Sequence, residues 1–69
     1  MVRIDSSEQR VLSRRRTSDG DIILVRKLNV YDPMGGYEYV TWWEDERGNR
    51  FWGHYYSDLD EARDDFENR

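Results

Sequence analysis

The sequence predicts an α+β fold, in which a small antiparallel β-meander of three or four strands is packed by one C-terminal helix. Segments rich in β-branched and aromatic residues alternate with short stretches that contain glycine or proline, as expected for consecutive hairpins. The last segment instead places its apolar residues at helical spacing. With 69 residues, the chain is long enough for one domain, and we treat residues 1–69 as that unit.

The sheet is expected to lie between residues 10 and 56. The predicted strands are residues 10–16, 21–31, 37–44 and 50–56. Asp19-Gly20 is a favoured hairpin dipeptide, and Gly48 is expected in the left-handed position of the last hairpin loop. Residues 10–16 include three consecutive arginines, so they either form a fourth strand or fold over the sheet. Residues 1–9 are polar and are expected to be a mobile terminus.

The helix is predicted over residues 58–68. Asp58 is a suitable N-cap, and Glu61 three residues later completes a capping box. Leu59, Ala62 and Phe66 fall on one stripe, while the other positions are charged or polar. A helix of about ten residues is marginal alone in water, so it must pack against the sheet.

Composition limits the classes of function. The chain has no cysteine and one histidine, which excludes disulfides and a Cys/His zinc site, and we expect no metal and no cofactor. His54 has no cysteine to activate, and Ser57 lies in no nucleophile-elbow pattern, so catalysis is not expected. No segment has the length of apolar residues that a signal peptide or membrane span requires. These features predict a cytoplasmic protein without a membrane partner.

The aromatic residues are concentrated in the last hairpin. If Gly48 forms a bulge, Glu44 pairs with Arg50 and the alternation assigns the side chains to two faces. One face then holds Tyr39, Thr41, Trp43, Phe51, Gly53 and Tyr55, and the other holds Val40, Trp42, Trp52, His54 and Tyr56. One helix covers only one face, so the second should meet residues 10–16, a partner or a second copy. The homodimer would bury either Trp42, Trp52 and Tyr56 or Trp43, Phe51 and Tyr39.

Charge is distributed unevenly along the chain. Residues 1–31 carry a net charge of +3 and residues 32–69 a net charge of −7. The acidic helix is either an ordinary solvated surface or a surface that meets a basic protein partner. For the second case, the predicted partner-binding residues are Trp42, Trp52, His54, Tyr56, Asp58, Asp60, Glu61, Asp64 and Asp65.

The basic segment supports a competing interpretation. Arg10, Arg14, Arg15 and Arg16 could follow phosphates while the aromatic residues stack on bases, which would make a single-stranded nucleic-acid-binding module. The half of the chain that holds the aromatic residues has a negative net charge, which would repel the phosphates of a nucleic acid. Nucleic acid is therefore the less favoured partner.

The C-terminal half resembles short proteins carried by bacteriophages and mobile elements. The resemblance lies in the following run: Tyr39-Val40-Thr41-Trp42, Gly53-His54-Tyr55-Tyr56, Leu59, Glu61-Ala62 and Asp65-Phe66. In size and acidic surface the chain also resembles anti-CRISPR and related anti-defence proteins. This resemblance implies a compact, non-enzymatic inhibitor that occupies a functional surface of a host nucleic-acid-targeting complex, and it assigns no role to a particular residue.

Overall fold

The computed structural model describes residues 9–29 and 31–69 and has the predicted α+β architecture. The elements are β1 (Gln9–Thr17), β2 (Gly20–Leu28), β3 (Tyr37–Glu44), β4 (Arg50–Tyr56) and α1 (Leu59–Asn68). Residues 10–16 are therefore part of a strand and do not fold over the sheet. The terminus expected to be mobile lies mostly outside the described residues, since only Gln9 of it belongs to them.

The four strands form one antiparallel sheet in the order β1-β2-β3-β4. Each connection is a hairpin, and glycine adopts positive φ where the turns require it, at Gly20 (136°) and at Gly48 (86°). The Gly48 N–H donates to the carbonyl of Asp45, which closes the predicted last hairpin turn. Strands β1 and β4 are consequently the two edges of the sheet and lie on opposite sides of it.

The helix begins and packs as its sequence pattern predicts. Asp58 has extended backbone angles, and its carboxylate accepts a hydrogen bond of 3.1 Å from the Glu61 N–H. Ala62 and Phe66 are buried against Ile22 and Leu24 of β2. The partly buried residues around this core are Leu12, Tyr39, Trp43, Tyr56 and Leu59. The helix therefore covers the face of the sheet that carries Ile22 and Leu24.

Strand β2 is buried on both of its faces. Ile22, Ile23, Leu24 and Val25 are all at most 1% exposed. On the face away from the helix, Ile23 lies opposite Trp42 in β3, and Val40 lies between Val25 and Tyr55 of the neighbouring strands. This two-sided burial explains why residues 22–25 form a continuous apolar run in the sequence. Burial of each such side chain contributes about 1.5–3 kcal/mol to the stability of the folded state.

The second strand is shorter than the sequence indicates. It ends at Leu28, where the prediction extended it to Tyr31. The Asn29 N–H donates to the Gly36 carbonyl, and the Asn29 side chain accepts a bond from the Tyr31 N–H. Local side-chain hydrogen bonds of this kind compete with strand pairing, so the alternating pattern runs past the end of the strand.

The predicted faces of β4 are wrong beyond the Trp43 and Phe51 pair. Glu44 does pair with Arg50, but the register then shifts, so that Thr41 lies opposite His54 and Tyr39 opposite Tyr56. Trp52 has a φ of 58° and supplies the extra residue of a β-bulge. The register shift divides the first aromatic set expected to bury in a dimer, because Trp42 faces away from the helix and Tyr56 lies on the helix side. The second set, Trp43, Phe51 and Tyr39, does lie on one face, which is the face that the helix covers.

Gly53 is needed at this bulge. A Cβ atom at this position would lie 2.7 Å from the ring of Trp42, which is closer than carbon atoms approach in proteins. The Trp42 ring therefore lies over the backbone of β4, where it also makes an edge contact with Tyr55 at 5.8 Å between centroids. This places Trp42 and Tyr55 together on the face away from the helix.

Candidate protein-interaction surface

The junction between the edge strand β4 and the helix brings together several of the predicted site residues. We call it the β4–α1 seam and define it as Trp52, His54 and Tyr56 on the strand with Asp65 and Arg69 at the helix end. Strand β4 leads into the helix through only two residues, Ser57 and Asp58, so the helix folds back over the strand it follows. In the seam, aromatic and acidic site residues meet.

Asp65 is the centre of the seam. Its carboxylate accepts a 2.6 Å hydrogen bond from the buried Thr41 hydroxyl, and the same oxygen lies 2.9 Å from Nδ1 of His54. Burial alone would raise the pKa of Asp65, but the hydrogen bonds from Thr41 and His54 outweigh it, so that the pKa is lowered. Asp65 is therefore a structural acid that joins the helix to β3 and β4.

Tyr56 lies at the start of the seam and is half-buried in the core. Burial raises the pKa of its hydroxyl, and the negative charge of Asp65 raises the pKa further. The side chain packs against the core residues under the helix. Tyr56 therefore contributes to the packing between the sheet and the helix, and only part of its side chain is exposed to a partner.

Trp52 lies at the other end of the seam and is mostly exposed. Its side chain is 70% accessible, although the ring makes edge contacts with Trp43 at 6.5 Å and with Phe51 at 5.3 Å between centroids. The Arg69 guanidinium donates to the Trp52 carbonyl and also to the carbonyl and hydroxyl oxygens of Thr41. The end of the helix is thereby fixed to the bulge.

The helix also presents exposed acidic side chains that form no ion pair with the described residues. Asp60, Glu61, Asp64 and Glu67 are exposed, and none of them forms a salt bridge within residues 9–29 and 31–69. Asp58 differs from these four because it caps the helix. Of the acids that the sequence indicated, Asp60, Glu61 and Asp64 are thus exposed, whereas Asp58 and Asp65 hold the helix in place.

The arginines of the basic segment make contacts inside the fold. Arg14 bonds to Asp21 at 2.8 Å and to Glu44 at 2.5 Å, and Arg16 bonds to Asp21 at 2.7 Å. Hydrogen bonds from Arg14 hold the pKa of both carboxyl groups below the ordinary range. Arg10 is exposed at the start of the same strand.

Arg15 points to the helix side of the sheet. Its guanidinium donates to the Phe66 carbonyl at 2.9 Å and lies 5.8 Å from the centre of the Phe66 ring. It therefore satisfies a carbonyl in the last turn of the helix. These arginines are on β1, which is the edge of the sheet opposite the Trp52 bulge. The structure thus separates the basic residues from the exposed tryptophan that the nucleic-acid alternative would combine with them.

One exposed apolar feature escaped the sequence analysis. In the β2–β3 loop, Tyr31 is 91% and Met34 88% exposed. Asp32 orders this loop, since its carboxylate accepts bonds from the Met34 and Gly36 N–H groups at 2.8 and 3.1 Å. Met34 inside the predicted turn was an available signal for this feature, whereas Tyr31 was assigned to the end of the second predicted strand.

Within the part of the chain that the structure describes, no group of three or more His, Asp or Glu side chains is placed to hold a metal ion. An open cleft of about 230 Å³ lies at the turn end of the sheet, and its lining includes Asp21 and Glu44, which Arg14 already binds. The Thr41 hydroxyl, which donates a hydrogen bond to Asp65, the partner of His54, is fully buried.

Comparisons with known proteins give no relative for this chain. No protein-family model, no curated protein and no solved structure matches it. Among the described residues, no helix has the length and apolar character needed to cross a membrane.

Proposed function

We propose that this chain is a non-enzymatic protein-binding module that places its acidic helix on a basic surface of a partner protein. The observation that carries the proposal is the set of exposed helix acids, Asp60, Glu61, Asp64 and Glu67, which make no salt bridge with the described residues. Charges of this kind steer association with an oppositely charged surface and set its orientation. The Trp52 side chain at the end of the seam supplies apolar contact area, and tryptophan is enriched at interface hot spots.

The charge density of the helix favours a partner that normally binds nucleic acid. Residues 59–68 contain five acids and one arginine over ten residues. At a rise of about 1.5 Å per residue, this is roughly one net negative charge per 4 Å of helix. A single strand of B-DNA carries one charge per about 3.4 Å. A groove that attracts a phosphate backbone would therefore attract this helix as well.

Together with the resemblance to anti-defence proteins, this charge pattern supports a more specific proposal for the target. The chain would act in the bacterial cytoplasm as a phage or mobile-element inhibitor that occupies the nucleic-acid-binding surface of a host nucleic-acid-targeting complex. Inhibition would need no chemistry, because occupying the groove is sufficient to exclude the nucleic acid.

The test combines capture with competition. The tagged chain is incubated with bacterial lysate at about 50 mM salt, and the retained proteins are identified and then challenged with oligonucleotides. We expect a nucleic-acid-binding protein that the oligonucleotide displaces, with an association rate that falls as salt increases. Capture should be lost in the charge-reversal variant Asp60→Lys, Asp64→Lys, Glu67→Lys.

A second variant, which changes the net charge by +4 where the helix variant changes it by +6, controls for overall charge. Asp19→Lys and Glu46→Lys reverse two exposed acids in turns outside the helix, and they should leave capture intact. Equal loss in both variants would show that only the overall charge matters. A captured protein that oligonucleotides do not displace would contradict the nucleic-acid-binding target.

A further inference from the structure

The β3–β4 hairpin combines two registers of strand pairing. Next to its turn, Trp43 lies opposite Phe51. Continued along the strands, this turn register would place Thr41 opposite Gly53. The structure instead has Thr41 opposite His54, since β4 has one extra residue between the two pairs. We call this displaced pairing the bulged register.

The hairpin by itself does not favour the bulged register. A register is strongly specified where a slip would exchange an apolar face for a polar one. Here a slip back to the turn register would place Tyr55 opposite Tyr39, where Tyr56 lies now, so that one tyrosine replaces another on the helix side. The bulged register also has a backbone cost, because Trp52 has a φ of 58°, a conformation that a bulky side chain rarely adopts.

Contacts from the end of the helix hold the bulged register. The Arg69 guanidinium donates to the Trp52 carbonyl at 2.5 Å and to the carbonyl and hydroxyl oxygens of Thr41 at 3.0 and 3.1 Å, so it bridges the two strands at the displacement. Asp65 binds His54, which faces the helix only in the bulged register. In the turn register, His54 would face the other side of the sheet and this contact would be lost.

We propose that the end of the helix, and not the hairpin turn, sets the register of residues 53–56, and that release of Arg69 returns them to the turn register. The change would shift this part of β4 by one residue, about 3.3 Å along β3. Only two residues connect β4 to the helix, so the start of the helix would move with it. The exchange of faces would bring His54 and Tyr56 to the side of the sheet that carries Trp42. Docking of the helix is thereby coupled to the face on which these side chains lie, whatever partner the chain binds.

The test determines the register by NMR, from backbone nuclear Overhauser effects between β3 and β4. The wild-type chain should show Thr41 next to His54. Substitution Arg69→Ala removes the bridge between the strands and should replace this signal with one between Thr41 and Gly53. Arg63→Ala is the matched control, since it removes an exposed arginine of the same helix, and it should keep the wild-type pattern.

A second substitution at the bulge should reverse the effect. Glycine accepts positive φ without strain, so Trp52→Gly combined with Arg69→Ala should restore the signal between Thr41 and His54. Trp52→Ala combined with Arg69→Ala removes the same ring but keeps the strain, and this double variant should remain in the turn register.

Two outcomes would overturn the inference. A folded Arg69→Ala variant that keeps Thr41 opposite His54 would show that the hairpin holds the bulged register unaided. If Arg69→Ala instead prevents folding, the double variant with Trp52→Gly should recover a folded spectrum in the bulged register, whereas the one with Trp52→Ala should not. Failure of the glycine variant to recover folding would show that Arg69 does not act through the bulge. All these variants keep the acids of the helix, so the result is independent of the proposed function.

Discussion

Strand β1 and helix α1 carry the two densest charge clusters of the chain, and they use them in opposite ways. The three consecutive arginines of β1 each contact another part of the fold, at Asp21, at Glu44 or at the Phe66 carbonyl. The helix presents four exposed acids, and none of them forms a salt bridge with the described residues.

The difference comes from what lies beside each element. Strand β1 is paired along its length with β2, so its alternate side chains are held next to the acids of the adjacent strands or beneath the helix. The helix contacts β2, β3 and β4 with its inner side only, and its outer side faces solvent. The role of a run of like charges therefore depends on its neighbours, and in this molecule the four exposed acids of the helix are the charges that form no salt bridge with the described residues.

The largest expected effect is at Asp65, the helix acid that behaves like the arginines of β1. Replacing it with alanine removes the carboxylate that binds the buried Thr41 hydroxyl, which should lower the free energy of unfolding by about 1–3 kcal/mol. Urea denaturation at pH 7 measures the change. The adjacent Asp64→Ala is the matched control, since Asp64 is exposed, and it should change the free energy of unfolding by less than about 0.5 kcal/mol.

The same pair predicts a pH dependence. Because the pKa of Asp65 is lowered in the folded state, its stabilisation is present above the unfolded-state pKa of about 3.9 and is lost as the pH falls through the lower folded-state value. The stability difference between the wild-type chain and Asp65→Ala should therefore narrow below about pH 4. A difference that stays constant from pH 7 to pH 3 would show that the ionised carboxylate is not what stabilises the junction.

An intermediate effect on stability is expected at Glu44. This residue forms salt bridges with both Arg14 and Arg50 on the face of the sheet away from the helix. Glu44→Gln should lower the free energy of unfolding by about 0.5–1.5 kcal/mol, and less at high salt, because Arg14 is partly exposed. A double-mutant cycle with Arg14→Gln isolates the pair. A coupling energy of zero would show that the Arg14–Glu44 contact does not stabilise the fold. The β1 arginines would then not differ from the exposed helix acids in their contribution to stability.

The smallest effect on stability should come from the outer helix acids. Glu67 lies near the C-terminal end of the helix, where a negative charge is unfavourable to the helix dipole. Glu67→Gln should leave the free energy of unfolding unchanged or raise it by about 0.3 kcal/mol. Thermal unfolding at low salt tests this, and a destabilisation above about 1 kcal/mol would mean that Glu67 has a partner in the fold.

Sequence reasoning was most successful where structure depends on near neighbours in the chain. The bounds of β3 and β4 and the Asp58 cap of the helix follow from alternation, turn residues and capping chemistry, all of which act over a few residues. It was less successful at the end of β2, because the hydrogen bonds made by Asn29 override an alternating pattern that extends to Tyr31.

The candidate site was harder to predict than the fold. The sequence selected Trp52, His54, Tyr56 and Asp65, which do meet in the seam, but it grouped them with Trp42, which lies on the other face with Tyr55. It also gave Asp58 and Asp65 the same role as the exposed acids. The bulge at Trp52 exchanges the faces to which the following β4 side chains belong, so the predicted assignment of those side chains was wrong. The alternation of residues in the sequence does not indicate where a bulge occurs.

The sequence by itself determined the class of the fold, the order of its elements and the charge of each, because these depend on local periodicity and composition. It left open whether residues 10–16 form a fourth strand, which the structure decided. Only the tertiary structure decided which charges are used and which face carries each aromatic ring. The physical reason is that both depend on register and on contacts between residues distant in the chain, such as Arg14 with Glu44 and Arg69 with Trp52. No local pattern encodes those contacts, since they form only when the sheet and the helix have packed together.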